Sequence, residues 1–79
     1  MSKKFRLITI FEMDSVYGVI ALIDERPFGV IVNTHDPRGA ADSQVFKEHD
    51  EALNHYHSIV GETVVNGWKP VYQGQPKFG

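Results

Sequence analysis

The apolar positions of this chain divide it into a strand-rich first part and a second part that is helical up to a short final strand. In "FRLITIFEM", residues 5 to 13, Phe5, Leu7, Thr9 and Phe11 fall on one side and Ile8 and Ile10 on the other, the alternation of a strand. Asp14-Ser15 supplies a tight turn. "VYGVIALID", 16 to 24, is apolar on both sides, which marks an inner strand. "DERP", 24 to 27, turns the chain again, and "FGVIVN", 28 to 33, gives a third strand. Together these segments predict an antiparallel meander.

Residues 34 to 44, "THDPRGAADSQ", read as a long polar loop, within which Asp36-Pro37-Arg38-Gly39 fits a type I turn. Val45-Phe46 adds a short edge strand. The period then becomes that of a helix: Ala52, Leu53, Tyr56, Ile59, Val60, Thr63 and Val64 form one stripe over about 48 to 65. Glu48 takes the cap position, and Asp50 and Glu51 lie in the first turn, where the helix dipole favours negative charge. Gly67 suits the left-handed residue that ends a helix, and Trp68 is expected to fold back onto the sheet. Pro70 blocks helical continuation; "KPVYQG", 69 to 74, is a last strand and "QPKFG" a tail. The predicted fold is a single α+β domain over 1–79. It has a small antiparallel sheet of three to four strands, one long helix packed on one face and a short C-terminal strand.

Such a fold offers more apolar side chains than one helix covers. Phe5, Leu7 and Phe11 group with Tyr17, Val19 and Ile23; Ile8 and Ile10 group with Ile20, Leu22 and Ile31. The pattern leaves open which set meets the helix. A set left uncovered is an interaction surface, and Ile8, Ile10, Ile20, Leu22 and Ile31 are the candidates for it. The expected partner is a second copy, giving a homodimer, or another protein. The plainer alternative is that strand curvature and the C-terminal segment close the face.

Charge changes this picture only by exclusion. The formal net charge is −2, with 8 Lys and Arg against 10 Asp and Glu, which argues against a broad electrostatic grip on nucleic acid or an anionic membrane. Lys3, Lys4 and Arg6 are the basic cluster at the N-terminus. The longest apolar run, "VYGVIALI", is far short of the ~20 residues of a membrane span. No targeting pattern is visible, and a cytoplasmic protein is expected. Without Cys there is neither a disulfide framework nor a thiolate metal site.

"HDEALNHYH", 49 to 57, holds three histidines, an Asp and a Glu, yet the spacing does not make a metal site. His49 and His55 are six apart and His55 and His57 two apart, so at ~100° per residue the rings point to different sides of a helix. The pair with ligand spacing is Glu51 and His55, and two such groups give at most weak surface binding. The ordinary reading is a solvated helix flank. His35, Asp36 and Arg38 are loop candidates for a functional role. Ser15, Ser43 and Ser58 lie in no nucleophile motif, and no glycine-rich phosphate cradle precedes the helix. The sequence therefore implies no catalytic residue, no metal and no cofactor, and a non-enzymatic binding or interaction module.

One resemblance adds a competing reading. Phe46, Ala52, Tyr56, Val60, Gly67 and Trp68 are spaced as in the C-terminal half of a WGR domain, which the segment from Phe46 to Trp68 resembles. Phe28-Gly29-Val30 stands roughly where that family has Trp-Gly-Arg, with Phe for the Trp and Val for the Arg, and the following strand is not basic. The resemblance covers about half the chain and implies a nucleic-acid-binding accessory domain, with Lys3, Lys4 and Arg6 as its contacts. The ending "NGWKPVYQG" is also similar to that of small uncharacterised bacterial and prophage-type proteins, which implies no chemistry.

Overall fold

The computed structural model describes residues 5–36 and 41–75. The chain runs β1 (Phe5–Met13), β2 (Val16–Asp24), β3 (Val30–His35), β4 (Ala41–Phe46), α1 (His49–Val65) and β5 (Lys69–Gly74). The five strands form one antiparallel sheet in the order β4-β3-β2-β1-β5, with β2 in the middle and α1 packed on one face. The expected fold of three to four strands thus holds in class, with a sheet one strand larger. The tail after 75, Lys3, Lys4, Arg38 and the turn around Pro37 lie outside the described residues.

The turn between β1 and β2 fixes which side chains face inward. Asp14 and Ser15 both have positive φ, 51° and 68°, the backbone of a two-residue turn whose twist matches the flanking strands. Met13 consequently faces Val16, Phe11 faces Gly18, Thr9 faces Ile20 and Leu7 faces Leu22. Odd residues of β1 share a face with even residues of β2, and through β2 with Val30, Val32 and Thr34 of β3.

This register corrects the grouping expected from sequence. Ile8 and Ile10 do not share a face with Ile20 and Leu22, which are buried beneath the helix at 5% and 0% exposure. Alternation along each strand was legible, but the two-residue turn exchanges odd and even between strands, and a one-residue difference in register moves a whole set to the other face. Ile31 remains with Ile8 and Ile10.

The core lies between the sheet and α1. Phe11, Ile20, Leu22, Val30, Val32, Ala52 and Tyr56 are its buried members, with Leu7, Phe46, Leu53, Ile59, Val60 and Trp68 packed around them. The buried Thr9 carries a hydroxyl among these apolar groups, and the Tyr56 hydroxyl hydrogen-bonds to it. Val64, expected on the inner stripe, is exposed near the helix end.

α1 ends as its sequence indicates. The Gly67 N–H donates to the Val64 carbonyl at 3.0 Å and the Trp68 N–H to the Thr63 carbonyl at 3.2 Å. These bonds, with Gly67 at φ 103°, close the last turn and send Trp68 back against the core. At the other end the Ala52 N–H reaches the Glu48 carbonyl, while the Glu48 side chain makes no capping bond.

Two strands differ from expectation. β3 starts at Val30 because Phe28 and Gly29 belong to the preceding turn, where the Glu25 N–H bonds the Gly29 carbonyl at 2.8 Å and the Phe28 N–H the Glu25 carbonyl at 2.9 Å. The Arg26–Pro27 peptide bond in that turn is cis. β4 covers Ala41–Phe46 in full, where only Val45-Phe46 was expected, and residues 41 to 45 are exposed. β5 pairs with the outer edge of β1; its register slips where Ile10 faces Tyr72 and Phe11 faces Pro70, leaving Val71 as a bulge.

Candidate functional site: the open face of the sheet

The face opposite α1 carries the even residues of β1 and the odd residues of β2 and β3. Ile8 and Ile10 of β1 stand beside Ala21 and Val19 of β2, followed by Ile23, then Ile31 of β3 and Val45 of β4. Tyr72 of β5 stands beside Ile10 on the far edge. None of these side chains is fully buried, in contrast to the helix side of the same strands.

Ala21 marks the centre. It belongs to the middle strand, with Ile8 opposite on one side, Asn33 on the other, and Val19 and Ile23 before and behind. Its methyl group is smaller than the Ile8, Val19 and Ile23 side chains around it. Asn33 is polar, but the Ser43 hydroxyl donates to its Oδ1 at 2.7 Å, so this carbonyl has a partner within the sheet. The border holds charge of both signs: Arg6 and Glu12 on β1, with Lys69 of β5 directly beside Glu12.

Val45 extends the apolar face to β4. A Cβ built at Gly29 would lie 2.7 Å from its Cγ1, so Val45 rests over the bare glycine backbone, itself at φ 144°. Val45 is 65% exposed, and Phe28, on the adjoining turn, is 89% exposed.

The three histidines of α1 are drawn to separate places. His49 Nδ1 lies 2.9 Å from Asp24 Oδ2, tying the start of α1 to the end of β2. Arg26 holds the same carboxylate, with Nε 2.9 Å from Oδ1, Nη2 2.8 Å from Oδ2 and its backbone N–H donating to Oδ1 at 3.2 Å. The Arg26 side chain pulls the Asp24 carboxyl below its usual range; partial burial opposes this, and the Arg26 N–H and His49 add to it. The His55 ring packs at 5.2 Å from the Phe46 ring, and His57 stands edge-on to Tyr56. Among the described residues no group of three or more His, Asp or Glu is placed to hold a metal ion.

Of the loop candidates, His35 ends β3 and is exposed, and Asp36 follows it, half-buried. Both line a small pocket of about 130 Å³ walled by Phe11, Ile59 and Trp68. Arg38 lies outside the described residues. Val30, at the position of the Arg in the WGR motif, is fully buried under α1, and Arg6 sits at the border of the open face.

Comparison with family models, with curated proteins and with solved structures gives no match. Among the described residues no helix is long and apolar enough to cross a membrane.

Of the residues named from sequence for an interaction surface, Ile8, Ile10 and Ile31 lie on the open face, and Ile20 and Leu22 do not. Val19, Ala21, Ile23, Val45 and Tyr72 belong to it and were missed. The signal for the first three was the two-residue turn at Asp14-Ser15, which fixes their parity.

Proposed function

We propose that this chain is a small non-catalytic interaction module that binds a protein partner through the open face of its sheet. The observation that supports this reading is the continuous apolar surface of Ile8, Ile10, Val19, Ala21, Ile23 and Ile31, spread over three adjacent strands on the side away from α1. Contiguous apolar patches above a few hundred Å² are uncommon on monomers and mark contact surfaces. Full burial of a large aliphatic side chain is favourable by roughly 1.5–3 kcal/mol, and these side chains, each partly buried in the sheet, retain the exposed remainder of that for association. Two of the groups that could serve acid–base chemistry are engaged in holding the fold: Asp24 with Arg26 and His49, and Tyr56 with Thr9.

A matched pair of substitutions tests the reading. Ile10→Lys places a charge on the open face and is expected to leave a folded protein, whereas Leu22→Lys places it beneath the helix and is expected to unfold the chain. An Ile10→Lys variant that unfolds removes the basis of the proposal. The competing nucleic-acid reading is separated by titrating short duplexes at low and physiological salt. No saturable binding is expected at physiological salt; salt-sensitive binding weakened by Arg6→Ala would favour the competitor.

A further inference from the structure

We infer that the occupant of the open face is a second copy of this chain, stacked face to face about a two-fold axis close to Ala21. The inference rests on the interaction-module reading above and names its partner.

The area of the face suits a second copy. Five strands at ~4.8 Å spacing give a face ~24 Å wide, and strands of ~3.3 Å per residue make it ~20–30 Å long. That is a footprint of roughly 500 Å² per copy, so two copies together reach the ~1,000 Å² that a specific interface requires. The charge at its border is mixed. The border carries Arg6, Glu12 and Lys69, with Glu12 and Lys69 adjacent, so the face has no single sign for an oppositely charged partner to read.

The shape of the face also suits its own copy. A second copy has the same sheet twist by construction, and two such sheets stack with their strands within about 30° of each other. Ala21, in the middle of the middle strand, presents only a methyl group between Ile8, Val19 and Ile23, which lets two sheets approach closely at that point. Under a two-fold operation Ala21 of one copy faces Ala21 of the other, and the aliphatic side chains off the axis meet the same patch of the second copy. Asn33 beside this centre can be covered without stranding its carbonyl oxygen, which the Ser43 hydroxyl already occupies.

The experiment uses the full chain. Sedimentation equilibrium from about 1 μM upward is expected to show the wild type moving from 8.9 kDa to twice that mass. Ala21→Arg and Ile31→Lys are expected to remain folded by circular dichroism and to weaken dimerisation at least a hundredfold. Because the sequence contains no Cys, Ala21→Cys introduces a single thiol next to the proposed axis. Mild oxidation is expected to convert that variant to a covalent dimer, while Gln44→Cys, on the outer strand, is not expected to cross-link.

A wild-type dimer that cross-links through Gln44→Cys and not Ala21→Cys overturns the inference in favour of edge-to-edge pairing. A wild type that stays at 8.9 kDa to millimolar concentration also overturns it. In that case the Ile10→Lys variant decides how far the failure reaches. If it folds, the open face still stands as a surface for a different partner; if it unfolds, the module reading falls too.

Discussion

The hydroxyls of Thr9 and Tyr56 meet in the core, tying the middle of β1 to the middle of α1 across 47 positions of sequence. Both residues are fully buried, so neither hydroxyl can turn to water instead. Tyr56→Phe is expected to destabilise the fold by about 1–3 kcal/mol because it strands the Thr9 hydroxyl in an apolar site. Adding Thr9→Val removes the stranded group and should recover much of the loss. Urea unfolding of the two single variants and the double variant measures the coupling.

The same pair predicts an alkaline limit. Burial raises the Tyr56 pKa above its ordinary 10.0, and the bond from Thr9 opposes that only in part. Below pH 10 the phenol is protonated in both states and its contribution is fully present. As pH rises past that value the unfolded chain releases the proton while the folded chain retains it, so stability falls. Unfolding midpoints between pH 8 and 11 are expected to drop at the alkaline end, and the drop should be smaller in Tyr56→Phe.

At the acid end the corresponding group is Asp24, whose pKa lies below the ordinary 3.8, chiefly through the Arg26 side chain. A depressed carboxyl contributes stability above the unfolded value and loses it as pH falls through the folded one. Arg26→Ala should therefore move the Asp24 titration upward, lower stability at neutral pH, and shrink the further loss that Asp24 contributes on acidification. Carboxyl-carbon NMR shifts followed from pH 6 to 2 give the Asp24 titration directly.

Gly29 combines two constraints: φ 144° and only 2.7 Å between the position of a Cβ and Val45 Cγ1. Gly29→Ala is expected to cost about 1–3 kcal/mol in backbone strain, with the clash added. Val45→Ala in the same chain should relieve the clash and leave the strain, giving partial recovery. Thermal unfolding of the three variants separates the contributions.

How much of this was readable in the sequence depended on how each signal is carried. β1, β2, β5 and the end of α1 follow from local features: alternation, the dense apolar run at 16 to 24, and Gly67 before Trp68. β4 was hidden because an exposed edge strand needs little apolar content. Ala41, Asp42, Ser43 and Gln44 pair along β3 through their backbones, a relationship that leaves no period in the side chains. The division between core and open face was hidden differently. Each strand displayed its two sides, but relating them required the backbone of Asp14-Ser15, which determines whether odd meets odd or odd meets even. The tie from His49 to Asp24 spans 25 positions between the helix start and a strand end, and only the tertiary arrangement brings them together.

The order of the strands also sets a timetable for folding. β1 to β4 join consecutive segments, so their hairpins close over short stretches of chain, whereas β5 must return across the helix to pair Ile8 with Gly74. Loop-closure entropy makes that pairing the slowest to nucleate, and it is also made by the segment synthesised after the other four strands. Until β5 docks, β1 presents an unpaired backbone edge flanked by Ile8 and Ile10, the combination that drives nascent chains to associate out of register. The bulge at Val71 and the proline before it then mark the new outer rim as a poor template for further strands. The sheet is thus most vulnerable to misassembly in the interval before its last strand arrives.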